Sequence, residues 1–292
     1  MSIPVQTEFS PSETPSGEPR PGEVQPPDAF PGEGWPRDPW PADKVAAHVT
    51  AAQAANGVHY AAWGETRVSQ QELERLVGAV PRTLAPAIEK RYYYFVPLVI
   101  VEGAGEVAAI VAPNYTVDLG DRAICHRNVS LGSIEAVFLS TRLVEDRFGL
   151  AFEFFINVAH NFVDAAGVPE SFASLAWSQA QAGVRGETSQ DAWETRRRAL
   201  DSLAPVTNAQ GEAMPSRGVD ERARKNYEES AFSDALAIYM LSLSLDFDYH
   251  DLREREYPLL VAPSLAERLR HIASLFPANE GYEFQILYRR KG

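Results

Sequence analysis

Eleven of the chain's 21 prolines fall within its first 41 residues. Proline offers no backbone donor and fixes φ, so such a stretch neither runs as a helix nor pairs as a central strand. The spacing predicts a disordered, proline-rich tail over 1–41 and a folded body over 42–292. In the tail Trp35 and Trp40 are the two aromatics able to dock, either on a partner or back on the body; otherwise the segment reads as a spacer. The body has enough apolar material for a sizeable core, since 45% of the 292 residues are hydrophobic.

Periodicity divides that body. Residues 42–90 read as a helical N-terminal part. Ala42 to Asn56 is an alanine-rich helix stopping near Gly57, and Ser69-Gln70-Gln71-Glu72 has capping-box spacing ahead of Leu73, Leu76, Val77 and Val80. Arg91 to Val101 and Glu106 to Val111 are rich in valine, isoleucine and tyrosine around Gly103 and Gly105, the pattern of a hairpin, and Ile134 to Thr141 is a further strand. From Asp146 the pattern turns helical. Phe148, Phe152, Phe155, Ala159 and Val163 trace one face of a long helix ending at Gly167, and Tyr227–Leu245 and Ser264–Phe276 are two more helices. Gly183 to Arg224 reads as a looser polar segment, and Tyr282 to Tyr288 as a terminal strand. Strands before helices imply an α+β fold: a small, twisted, mostly antiparallel sheet followed by a helical C-terminal half.

With 40 acidic and 27 basic side chains the net charge is −13. That balance argues against nucleic acid and against an anionic membrane, both of which require clustered Lys and Arg. The lone Cys125 leaves no partner for an internal disulfide. The first residues have neither a basic nor an apolar leader region, which predicts a cytoplasmic protein or one exported without a cleaved signal peptide.

Several residues invite a chemical reading. Gly103-x-Gly105-x-x-Ala108 superficially matches a dinucleotide fingerprint, but Pro113 leaves no room for the helix that would hold the pyrophosphate, so a hairpin turn is expected. Cys125 and His126 are neighbours that an extended chain points to opposite faces; they read as a buried thiol and a surface imidazole. Tyr92, Tyr93 and Tyr94 alternate across a strand, where core packing is the commoner use and a peptide-binding edge the rarer one. Arg196-Arg197-Arg198, flanked by acids, reads as a solvated helix face.

The segment with most chemistry is Val158-Ala159-His160-Asn161-Phe162-Val163-Asp164. Residues four apart on a helix share a face, so His160 and Asp164 can reach one metal ion or each other. Sixty-nine residues after His160 comes Glu229, in Glu229-Ser230-Ala231-Phe232-Ser233-Asp234-Ala235-Leu236. Together these segments resemble the zincin metallopeptidases, in particular the catalytic C-terminal domain of the anthrax lethal factor family, in which an apolar stretch precedes His-Glu-x-x-His and a later helix carries a ligand glutamate. The resemblance spans roughly Arg91 to the end.

That resemblance implies a zincin-like fold with His160 at the first histidine ligand. It puts Asn161 at the general base, Asp164 at the second histidine, and Ser230 at the third ligand with Glu229 one residue early. Asparagine accepts no proton at useful pH, and losing a general base typically costs about two to four orders of magnitude in rate. A carboxylate can still bind zinc, but one residue of offset turns a helical side chain by about 100°. The resemblance therefore implies no zinc or weakly bound zinc, held by His160, Asp164 and Glu229, and no confident catalytic residue. It leads to a pseudo-peptidase that binds a peptide or protein partner. Two alternatives stand beside it: a divergent metal-dependent hydrolase using those three ligands with Glu228 as base, and a delivered effector whose tail is an address. A purely structural His160–Asp164 hydrogen bond is the plainest reading of that pair.

Overall fold

Two tryptophans stand among the first described residues. The computed structural model describes residues 35–36, 38–101, 109–143, 147–201, 206–207, 213–214, 219–246 and 257–285. Strand β1 (Trp40–Pro41) pairs antiparallel with Ile110 and Val111. Trp35 and Trp40 both pack on the fully buried Trp63, with ring centroids 5.9 and 5.7 Å away. Of the two docking options for these rings, the body is therefore one that is realised, and residues 35–41 do not all belong to a tail.

Helix α1 (Ala42–His48) ends eight residues short of the expected Asn56. Val49 turns the chain into extended geometry, and Ala52–Gln53 (β2) folds back on His59–Ala62 (β3) around Gly57. Asn56 has another use. Its buried amide donates to the carbonyls of Val77 and Val80, at 2.8 and 2.7 Å, satisfying acceptors that helix α2 (Gln70–Gly78) leaves open at its C-terminal end. At the other end of α2 the predicted capping box forms: Ser69 N donates to Glu72 Oε2 at 3.0 Å, and Glu72 N to Ser69 Oγ at 3.3 Å. Residues 42–90 are thus mixed, not solely helical.

The expected strand 91–101 is two strands in two sheets. Pro97 separates β4 (Arg91–Val96) from β5 (Leu98–Val101), as a residue without a donor cannot continue the ladder. β5 pairs antiparallel with β6 (Ala109–Ala112), as the hairpin reading requires, although its glycine turn lies outside the described residues. After the short helix α3 (Val117–Gly120), β7 (Ala123–Ile124) completes a four-stranded sheet ordered β1-β6-β5-β7. β8 (His126–Leu131) and β9 (Ile134–Ser140) then complete a five-stranded sheet ordered β2-β3-β4-β9-β8. Its centre is parallel: β3 with β4 and β4 with β9; only the outer pairs are antiparallel. This corrects the expectation of a mostly antiparallel main sheet, and the reason is burial. In β4, Tyr93 and Phe95 face the helices while Tyr94 and Val96 face the small sheet; a strand covered on both faces is apolar at successive positions.

The C-terminal half is helical, as expected: α4 (Arg147–Ala166), α5 (Glu170–Gln181), α6 (Gln190–Asp201), the ribbon β10 (Val206–Thr207) with β11 (Ala213–Met214), α7 (Glu221–Ser244) and α8 (Ala262–Leu275). α7 is buried at every position from Ala231 to Leu241, which marks a central helix. Phe162 of α4, Phe172 of α5 and Phe276 all pack around its Phe232. The predicted strand at 282–288 does not form over Tyr282–Gln285, and its remainder lies outside the described residues. The fold is mixed α and β, a helical layer and a small sheet on opposite faces of the main sheet. No helix among the described residues is long and apolar enough to cross a membrane.

The link from β3 to α2 is unusually tied down. Gly64 has φ +82°, and a Cβ there would sit 2.6 Å from the Pro113 carbonyl, so glycine is required. Glu65 N donates to that carbonyl, Thr141 Oγ1 donates to Thr66 O at 2.9 Å, and Arg142 Nε donates to Glu65 O at 2.9 Å. Held by these bonds, Arg67 has φ +60°, the one non-glycine residue of positive φ among those described.

Candidate functional site

Helical periodicity builds the site. From α4 come His160, Val163 and Asp164; from α6 Asp191, Glu194, Thr195 and Arg198; from α7 Asn226, Glu229, Ser230 and Ser233. The last two sets have i, i+3, i+4, i+7 spacing, so each is one stripe of one helix. The three stripes enclose an open cavity of about 360 Å³. His160, Asp164 and Glu229 thus face one space, although 69 residues of sequence separate His160 from Glu229.

The cavity is acidic. Among the described residues, four carboxylates, Asp164, Asp191, Glu194 and Glu229, line it with one arginine, Arg198, which lies 3.1 Å from Glu194, and Lys225 approaches Glu229 to 3.6 Å. Crowding among the helices lowers the His160 pKa below the usual imidazole value; Asp164 opposes this, the nearby His126 ring reinforces it, and Asp191 and Glu153 oppose it. His160 is consequently neutral at pH 7. No hydrogen bond joins it to Asp164 among the described residues, so the structural pairing expected of these two does not form.

Behind the cavity, a buried ionic cluster holds α6 in place. Glu187 is fully buried and accepts from Arg268 Nη1 at 2.8 Å, Arg196 Nη1 at 3.1 Å and the Tyr227 hydroxyl at 2.9 Å. Arg196 also donates to the carbonyls of Gly186 and Val184, at 2.8 and 2.6 Å. The arginine run is therefore not the solvated face expected of it: Arg196 is a core residue and only Arg197 and Arg198 are exposed. Next to the cluster, buried Asp234 accepts from Thr188 Oγ1 at 2.8 Å. Burial raises its pKa to about 6 despite bonds from Ser189 and Thr188 that lower it.

The remaining candidates separate from the cavity. Asn161 points the opposite way, into the core, where its Nδ2 donates to the Tyr93 hydroxyl at 3.2 Å. Glu228 is half-buried and accepts from Arg224 Nε at 2.7 Å. Tyr93 and Tyr94 are core residues, and Tyr92 stacks on His59 with centroids 4.4 Å apart. Cys125 is exposed, not buried as expected; desolvation and then Glu153 raise its pKa, the wrong direction for a nucleophile. Among the described residues no three His, Cys, Asp or Glu side chains stand so as to hold one metal ion. His160, Asp164 and Glu229 share a cavity without forming a ligand triad, so the donor set does not fit a resident zinc.

One more feature adjoins the site. Glu153, Asn157, His160 and Asp164 form a polar stripe along α4, and His126, the first residue of β8, bonds Glu153 at 2.5 Å. β8 ends the main sheet, so its outer edge has no strand partner among the described residues. The Cys125 carbonyl accepts from Ser140 N toward β9; by alternation the backbone groups of His126, Asn128 and Ser130 point to the open edge. The sequence does not reveal the α6 wall because its buried positions are Ala192, Arg196 and Ala199, too small or too polar to display a period. No protein-family model matches the chain, and neither does any curated protein.

Proposed function

We propose that this chain is a zincin-like protein without a hydrolytic centre, which binds an extended peptide by strand addition along β8 and takes basic side chains into the acidic cavity. Strand addition draws affinity from main-chain bonds and specificity from pockets reached by alternate side chains. The observation that carries the reading is the continuity of three parts: the open edge of β8, the polar stripe of α4 joined to it by His126–Glu153, and the cavity at His160 and Asp164. The excess of carboxylates in that cavity favours lysine or arginine. Its non-catalytic character is supported by Asn161, which occupies the base position of the resemblance and is committed to Tyr93 in the core.

The test is fluorescence anisotropy of labelled octapeptides with lysine at alternate positions, against matched glutamate peptides. The lysine set binds and the glutamate set does not. Asn128→Pro, which removes a donor from the open edge, weakens binding at least about tenfold, and Asp164→Asn with Glu229→Gln does the same. Equal binding by Asn128→Pro would refute strand addition. Stoichiometric zinc or proteolysis that disappears in His160→Ala would refute the non-catalytic reading.

A further inference from the structure

A second cavity, about 610 Å³, opens where the fastened 64–68 loop meets α2, the start of α4 and the end of α7. Four arginines line it: Arg67, Arg75, Arg142 and Arg147. They come as two pairs far apart in sequence, Arg67 with Arg75 and Arg142 with Arg147, so no basic run reveals them. Among the described residues one carboxylate, Glu72, lines it with them, and it is already engaged by the α2 capping box and by Arg147. The described lining therefore carries 4 − 1 = +3, in a chain whose net charge is −13. Neither Arg67 nor Arg75 has an acidic side chain within ion-pair distance among the described residues.

This convergence is not that of a solvated surface, where opposite charges intersperse. Arg142 is half-buried; burial and then Arg67 lower its pKa, and Glu65 opposes them. The backbone contributes as well: Arg67 is held in the left-handed region by bonds at Glu65 and Thr66 before it and at Val68 after it, and departures of this kind persist where surrounding structure over-determines them. Leu76 and Leu150 add apolar lining, and Tyr115, which also lines it, is one of two exposed large hydrophobic side chains among the described residues.

We propose that this cavity binds a small organic phosphate, a phosphomonoester on an apolar or aromatic body, with the arginines around the phosphate and the body against Leu76, Leu150 and Tyr115. A volume of this size suits a small ligand. Planar guanidinium forks match phosphate oxygens two at a time, and a dianion suits a surplus of three positive charges better than a monoanion does. The site is separate from the β8 groove and stands or falls independently of the peptide reading.

Isothermal titration of the full chain with phenyl phosphate, inorganic phosphate, benzoate and phenol tests it. Phenyl phosphate binds with a dissociation constant below about 1 mM, inorganic phosphate and benzoate at least about tenfold more weakly, and phenol not measurably. Arg67→Gln with Arg75→Gln reduces phenyl phosphate affinity at least about tenfold, while Arg67→Lys with Arg75→Lys retains most of it. Both arginines are exposed, so thermal unfolding of the Gln variant without ligand stays at the wild-type temperature and reports that folding is intact. Absence of phenyl phosphate binding, equal binding of benzoate, or full affinity in the Gln variant would overturn the proposal.

Discussion

Glu187→Ala is the sharpest probe of the helical half. The carboxylate is 0% exposed and faces Arg268, also 0%, and Arg196 at 5%. Its removal does not affect its partners equally. Arg196 keeps the carbonyls of Gly186 and Val184, and the Tyr227 hydroxyl keeps the Ala176 carbonyl at 3.2 Å. Arg268 retains the Gln179 Oε1 atom at 2.8 Å for its Nε, but its Nη1 loses the Glu187 Oε2 bond. Leaving one buried ion without its partner typically costs about 3–5 kcal/mol. At roughly 2–4 °C per kcal/mol the melting temperature falls by roughly 10 °C. Glu187→Leu with Arg268→Met removes the more deeply buried guanidinium and leaves Arg196 on the Gly186 and Val184 carbonyls, so it recovers part of the loss, about 1–2 kcal/mol. Urea unfolding followed by tryptophan fluorescence measures both. A loss below about 1 kcal/mol in Glu187→Ala, or a double variant less stable than the single one, would refute the argument that charge compensation holds these helices.

The other predictions concern single sites. Burial raises the Asp234 pKa from its ordinary value of 3.8 to about 6, so its contribution to stability is fully present below the unfolded value and is lost as pH rises through 6. Relative to wild type, Asp234→Asn therefore gains up to about 3 kcal/mol between pH 4 and pH 7, read from urea midpoints at the two pH values. Gly186→Ala places a Cβ 1.9 Å from the Leu259 carbonyl at φ +85° and costs about 2–3 kcal/mol or more, whereas Gly167→Ala, with open space and φ +74°, costs about 1 kcal/mol; thermal unfolding separates them. Asn161→Ala loses the bond to Tyr93 and about 1 kcal/mol of stability but leaves octapeptide affinity unchanged in the anisotropy assay.

Much of the fold is readable where one physical signal dominates. The Ser69–Glu72 box and the end of α4 at Gly167 are local, and each forms as its residues dictate, whereas the buried face of α4 runs through Ala151, Phe154, Phe155, Val158 and Phe162 and leaves Phe148, Phe152 and Val163 at its margin. The parallel centre is not local. β3 reads His-Tyr-Ala-Ala, too short and alanine-rich to announce a strand, and its partner lies beyond α2. α1 stops at His48, and Asn56, beyond it, serves a distant helix end, a demand absent from its own neighbourhood. At the site, i,i+4 spacing brings His160 and Asp164 to one face, and Glu229 shares their cavity. Spacing could not tell that Asn161, one position on, turns into the core, nor that α6 supplies a whole wall. The exposed thiol of Cys125 and the buried guanidinium of Arg196 invert their usual preferences because strand position and an ionic partner outweigh residue type.

The parallel pairing of β4 with β9 also sets an order of assembly. Val96 aligns with Ser140, and the entire small sheet apart from β1 is threaded between them. Loop closure must be met before such a contact gives any return. On a ribosome, the central ladder can therefore zip only once Ser140 has cleared the exit tunnel. Until then the aromatic run of β4 has no ninth-strand neighbour, and a chaperone would find its opportunity in that interval.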